Sequence, residues 1–372
     1  MNRRQLLLTA LPLSSVSATP ATEWPLFRGG PRQLGVAGGK LASRLKLRWK
    51  FKAGGPVVSS PVAAQGRVFF GSHDKHVYAV NLANGRRVWS FKTSDEIEAS
   101  AAVIGDAVLI GAADGTLYCF DAATGRGRWK YKTDDKILGA VNFAPAPNRK
   151  DTWVVVGSYD NLLHCVSLAT GKRQWAYETG NYVNGTPTVA DGRVIFGGCD
   201  GIVYSVRLAD GKLAKSLNIE SYIAGSAAVE GARAYLGHYG NEFICADVAT
   251  GKVIWTYRDK AYAFFASPAV TRDRVVTGSR DKRVHCLRRA DGKPLWAFRT
   301  RGKVDSSPVV CDGKVVVGSE DGRVYLLRLS DGKELWSYEI GQPILSSPGL
   351  VAGQVLIGAD DGVVYCFGDH GG

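Results

Sequence analysis

The chain has 372 residues with 45 glycines, a single methionine, and 9 tryptophans, 15 tyrosines and 13 phenylalanines. That balance favours short strands joined by glycine turns, and no stretch reads as a long amphipathic helix. A formal charge of +13 attracts anionic surfaces when the basic groups gather on one face, and merely solvates the chain when they are scattered.

In chain order, the first element is Met1-Asn2-Arg3-Arg4-Gln5 followed by an apolar run from Leu6 to Val16 and small residues at Ala18 and Ala21. This is the layout of a secretory signal over residues 1–21, and Arg3-Arg4 gives it a twin-arginine look. The run is too short to span a bilayer. The expected destination is therefore the periplasm or the exterior. No cysteine precedes Cys119, so no lipid acceptor follows the run.

A lead-in segment covers residues 22–44, and from residue 45 a unit of about 40 residues recurs. Tryptophans fall at Trp49, Trp89, Trp129, Trp175, Trp255, Trp296 and Trp336, with Lys215 in the one missing place. Except before Trp49, a glycine stands four residues earlier: Gly85, Gly125, Gly171, Gly211, Gly251, Gly292 and Gly332. Within a unit, four apolar runs alternate with turn signals; in the seventh, Val309-Val310, Val315 to Gly318 and Val324 to Leu327 are separated by Asp312-Gly313 and Asp321-Gly322, and Asp331-Gly332 precedes Leu335-Trp336. This reads as a four-stranded antiparallel meander. A meander apolar on both faces must stack on copies of itself, and radial stacking gives a propeller.

Strand-two glycines at Gly71, Gly111, Gly157, Gly197, Gly237, Gly278, Gly318 and Gly358 count eight copies. The last copy ends after Val363 to Phe367 without an outer strand, while Leu45 to Phe51 is an outer strand with nothing before it. The expected fold is an all-β, eight-bladed propeller over residues 45–372, its last blade closed by the N-terminal strand, which removes an open edge.

The repeated turn-Gly-Lys-x-x-Trp pattern resembles the tryptophan repeat of the pyrroloquinoline-quinone (PQQ)-like propellers, shared by quinoprotein dehydrogenases and the propeller subunit of the outer-membrane β-barrel assembly machinery. Trp24-Pro25-Leu26-Phe27-Arg28-Gly29 is similar to the lead-in of exported members. Catalytic and non-catalytic members share the blade chemistry, so the site must decide function.

Sites are expected where one copy departs from the rest. Blade three carries an insertion over 142–150, ending in Arg149-Lys150, expected to project from the bottom rim. Blade four has Lys215 for tryptophan, which removes an aromatic wedge. At the start of the innermost strand the copies read Val58, Glu98, Leu138, Asn184, Ala224, Phe265, Asp305 and Leu345, so Glu98, Asn184 and Asp305 are the candidate metal ligands, an oxygen set of the type Ca²⁺ takes. Summed over loops, the top rim carries roughly −10 and the bottom roughly +8. Arg86, Arg87, Lys172, Arg173, Arg149 and Lys150 are the candidate partner-binding residues of the basic rim, open to a protein or to an anionic surface.

Cys119, Cys165, Cys245, Cys286 and Cys366 repeat one place in five blades, farther apart than the roughly 7 Å between Cα atoms that a disulfide permits, so they read as core thiols. The histidines show no metal-ligand spacing. The resemblance implies two functions. One is an exported, non-catalytic scaffold that holds protein partners on its loop rims and needs no cofactor. The other is a PQQ- and Ca²⁺-dependent dehydrogenase, for which no adjacent Cys-Cys pair and no spare channel tryptophan is present. A polyanion-binding module on the basic rim is the third reading. No phosphate loop or nucleophile elbow occurs, and no sequence-specific nucleic-acid motif.

Overall fold

Each repeat pairs its strands as the turn signals dictate, and in the computed structural model, which describes residues 22–369, the eight resulting sheets are the blades of a propeller. The signal expected over 1–21 lies outside the described residues. Blade seven is representative: Val309–Cys311, Lys314–Gly318, Arg323–Arg328 and Glu334–Glu339 form successive antiparallel pairs. Strands two and three are buried over most of their length in every blade, whereas the outer strand is largely exposed. That gradient follows from stacking, since only the outer strand meets water along its flank.

The clasp is as expected. Lys46–Lys52 pairs antiparallel with Val363–Gly368, opposing Trp49 to Cys366. One strand unforeseen in sequence joins it: Val36–Ala37 adds a fifth, parallel strand to blade seven beside Val310 and Cys311.

Two glycine classes are explained by neighbouring blades. A Cβ on Gly71 would meet Ile97 at 2.1 Å, and one on Gly111 would meet Ile137 at 2.1 Å, because a side chain of the following blade fills the space. The turn glycines serve twice. Gly85, Gly125, Gly171, Gly211, Gly292 and Gly332 adopt positive φ, and each lies against the indole of the preceding blade, where a Cβ would come within 2.5–2.7 Å.

The indoles interlock the blades by hydrogen bonding as well as by packing. The Nε1–H groups of Trp49, Trp89, Trp129, Trp175, Trp255 and Trp296 donate to the carbonyls of Leu82, Ala122, Leu168, Leu208, Arg289 and Leu329, each three residues before the turn glycine. The wedge expected from the repeat is therefore a glycine seat with a carbonyl acceptor. All seven cysteines are free thiols, in agreement with the spacing argument.

The lead-in segment is part of the propeller. Trp24 exchanges two backbone hydrogen bonds with Ala63 of blade one, and the carbonyls of Pro25, Pro31, Arg32, Leu34 and Gly35 accept from Val103, Val189, Val229, Val270 and Val310. In blade three the register is taken by Asn142, whose Nδ2 donates to Pro31. Residues 24–35 thus form a collar that touches blades one to seven in order at the lower ends of their inner strands. Arg28 is locked into it, 2% exposed, donating to the carbonyls of Ser307 and Pro308, and burial without an acidic partner lowers its basicity.

Candidate functional site

The top of each blade is built from two loops tied by a backbone hydrogen bond, such as the Cys199 amide to the Tyr182 carbonyl and the Tyr239 amide to the Tyr222 carbonyl. Inside five of these loops an aspartate accepts the hydroxyl of the tyrosine four residues on: Asp74–Tyr78, Asp114–Tyr118, Asp200–Tyr204, Asp321–Tyr325 and Asp361–Tyr365, at 2.6–2.7 Å. Blades three and six substitute histidine. His164 sits between Asp160 and the Tyr131 hydroxyl, and His285 between Asp281 and the Tyr257 hydroxyl. Much of the acidity counted on the top rim is thus internal scaffolding, and part of the rest is paired, Asp95 with Lys75 at 3.1 Å and Glu320 with Lys303 at 4.0 Å.

The axis holds a cavity of about 330 Å³. All eight residues singled out at the start of the innermost strands line it, Glu98, Asn184 and Asp305 included. Phe27 of the collar also lines it, so the channel is a cup with a floor made by the lead-in segment. Below the mouth runs a belt of hydroxyls. Those of Ser100, Thr186, Ser226, Ser267, Ser307, Ser347 and Ser60 each accept the backbone N–H of the equivalent residue one blade back, at 2.8–3.2 Å. Ala140 breaks the belt between blades two and three, because it has no oxygen to offer the Ser100 amide.

The three candidate ligands share the cup, but each engages a different neighbour. Asp305 takes a forked interaction from Arg280, whose Nη2 lies 2.7 Å from one carboxylate oxygen and whose Nε lies 3.1–3.2 Å from both. Asn184 accepts the Tyr159 hydroxyl at 3.1 Å, and Glu98 stands 3.7 Å from His73. Ca²⁺ takes six to eight oxygens; here a guanidinium occupies one of the two carboxylates. The aromatic side chains of the cup are Phe27, Tyr159 and Phe265, with no tryptophan among them. As arranged, these residues do not fit a quinone with its calcium ion. The structure does gather His73, Glu96 and Glu98, with ligand atoms all within 4.8 Å of one another, a proximity that linear spacing conceals.

The other rim residues are placed as the loop order predicts. Arg86, Arg87, Lys172, Arg173, Arg149 and Lys150 are all exposed. Blade three extends its first strand to Asn142–Pro145, and the insertion closes in a turn in which Arg149 donates to the Ala146 carbonyl. A groove of about 560 Å³ lies there, lined by Arg128, Trp129, Arg149, Lys150 and Asp151 among others.

Sequence reasoning passed over a set of tyrosines. Tyr182, Tyr222, Tyr239 and Tyr262 are 43, 56, 47 and 51% exposed, and all lie in top loops of blades four to six. Tyr182 stacks flat on Tyr159 at 4.6 Å, Tyr222 meets Tyr239 edge-on, and Tyr239 leans on Phe265 at 4.3 Å. Phe265 in turn carries the Arg280 guanidinium 3.7 Å above its ring. Comparing copies two places before the mouth position would have exposed Tyr182 and Tyr222 against Pro56, Glu96, Lys136, Ala263, Lys303 and Pro343.

A family model described as the β-propeller of the beta-alanine-activating enzyme matches residues 140–371, and one described as outer membrane protein assembly factor BamB matches residues 42–136. No curated protein sequence matches the chain. Among solved structures, BamB from Moraxella catarrhalis is 20% identical, with a TM-score of 0.71 over 88% of this chain and 98% of that one. The computationally designed Ika8 protein is 18% identical, with a TM-score of 0.77 over 87% and 100%. Quinohemoprotein alcohol dehydrogenase from Comamonas testosteroni is 14% identical, with a TM-score of 0.79 over 93% and 80%. At these identities the likeness is one of fold, shared by an assembly factor, a design and an enzyme. Among the described residues no helix is long and apolar enough to cross a membrane.

Proposed function

We propose that this chain, which belongs to the PQQ-like β-propeller family that includes the models matched above, is an exported, non-catalytic scaffold that holds protein partners on its loop rims. The observation that carries the reading is the tyrosine sector on the top face. Interior aromatic positions are used up in blade stacking, yet four tyrosines stand half exposed on the top loops of blades four to six, Tyr222 and Tyr239 in edge-on contact. Tyrosine offers a large, rigid contact area with a polar tip, a combination enriched at protein interfaces. The likeness to BamB, whose name is that of an assembly factor, points the same way.

Affinity capture from the extract of the source cells tests it. Wild-type protein is compared with a Tyr182→Ala/Tyr222→Ala/Tyr239→Ala variant and with an Arg86→Glu/Arg87→Glu/Lys172→Glu/Arg173→Glu variant. A partner lost with one variant and kept with the other assigns the face. A wild-type protein that captures nothing above a blank resin overturns the scaffold reading.

The dehydrogenase reading has one observation in its favour, the placement of Glu98, Asn184 and Asp305 on one cup. Calorimetric titration with PQQ and Ca²⁺ decides it. Tight, Ca²⁺-dependent binding lost in Asp305→Ala and Glu98→Ala makes the cup a cofactor site, and absence of heat at high micromolar cofactor retires that reading.

A further inference from the structure

Among the described residues, one glycine seat of the interlock holds no indole. Six indoles rest on a turn glycine of the next blade and donate to the carbonyl three residues before it. Between blades four and five the glycine is present: Gly251 holds the same positive φ of 70°. The carbonyl is present too, on Val248, and among the described residues nothing donates to it. Only the indole is missing, because blade four supplies Lys215.

The lysine covers the seat without filling it chemically. Its Cε lies where a Cβ on Gly251 would come within 2.6 Å, and the walls are mostly apolar, from Val203, Leu217, Ala246 and Val248. With the lysine stem in place only about 10 Å³ stays free, room for one water-sized body. The residue itself is exposed, its stem lying over the seat while the ammonium can stay in water, so only that stem separates the seat from solvent. Ser205, 2% exposed, lines the same seat with a buried hydroxyl that has no hydrogen-bond partner. The outer strands that carry Lys215 and follow Gly251 also bear Leu213, Val253 and Ile254, which are 47, 43 and 41% exposed.

We infer that the seat between blades four and five receives a tryptophan side chain presented by a protein partner. The chemistry of the occupant is specified by the same molecule six times over: a flat ring that lies on a glycine and carries one N–H aimed at a carbonyl. Buried aromatic anchors in preformed pockets are the usual hot spots of protein interfaces. The inference rests on the scaffold reading only in taking the indole from a partner; the seat itself is a property of this chain.

The test uses N-acetyl-5-fluorotryptophanamide as probe, followed by fluorine NMR line broadening on the intact protein, with N-acetylleucinamide as competitor control. Wild type is expected to bind with a dissociation constant on the order of 1 mM, as suits a fragment of this size. Lys215→Ala, which uncovers the glycine, should bind at least three-fold more tightly, and Lys215→Trp, which fills the seat from within, should abolish binding and raise the thermal midpoint. No broadening at 10 mM probe (about ten times the expected constant) with wild type and Lys215→Ala, equal affinity in those two, or undiminished binding in a folded Lys215→Trp overturns the inference. Partner capture through the top tyrosines is unaffected by any of these results, so the two readings fail separately.

Discussion

Removing one indole measures how much a single interlock contributes. Trp89 is 8% exposed, lies on Gly125, donates to the Ala122 carbonyl at 3.0 Å and sits 5.9–6.0 Å from the rings of Phe69 and Phe120. Trp89→Ala empties that space and should cost about 3–5 kcal/mol. Trp89→Phe keeps most of the ring but strands the carbonyl, which isolates about 1–2 kcal/mol for the hydrogen bond. Trp336 is the internal control. It is only half-buried, packs on Phe367 at 5.4 Å and, among the described residues, rests on no turn glycine and donates its indole N–H to no carbonyl; blade eight takes its outer strand from the N-terminus. Trp336→Ala should therefore cost about half as much as Trp89→Ala. With a urea slope of about 3 kcal/mol per molar, the Trp89→Ala midpoint should fall by roughly 1–1.7 M. Circular dichroism in urea reads all three. Equal shifts for Trp89→Ala and Trp336→Ala, or a silent Trp89→Phe, would refute the glycine-seat reasoning.

Three further outcomes follow from the structure. A chain lacking residues 22–41 loses the acceptors for Val103, Val189, Val229, Val270 and Val310; hydrogen exchange should accelerate at those five amides together, and protection that persists would show the collar to be ornamental. Stability should decline above about pH 9. Burial pushes the thiols of Cys245, Cys286 and Cys311 up to about 11 and those of Cys119 and Cys366 up to about 12. The unfolded chain then releases protons that the folded one keeps, so stability is full below the unfolded value and is lost as pH rises toward 11–12. Urea midpoints at pH 8 and 10 should differ, and a Cys119→Ala/Cys245→Ala/Cys286→Ala variant should narrow the gap. Since all seven cysteines are free, a reductant should leave the melting temperature unchanged, and a drop of several degrees would contradict the pairing-free core.

The fold was legible because it repeats. Eight strand-two glycines and seven tryptophans in register set the blade count, and the lone outer strand before the first blade announced the clasp. Equivalent copies also placed Glu98, Asn184 and Asp305 on the mouth, since strand order alone decides which residues reach the axis. What those residues touch was not legible. Arg280 and Asp305 are 25 positions apart, Tyr159 and Asn184 likewise, and their contacts depend on how one blade leans on the next. The collar escaped notice for the same reason: residues 24–35 carry no repeat, and their backbone hydrogen bonds exist only once seven blades present their inner strands around one axis. The tyrosine sector and the indole seat covered by Lys215 lie between these extremes. Their residues were in plain view as departures from the repeat, but exposure, stacking and the unused Val248 carbonyl are properties of neighbouring blades. Local pattern determined what each blade is, and packing between blades decided which departures face solvent and which leave a place to be filled.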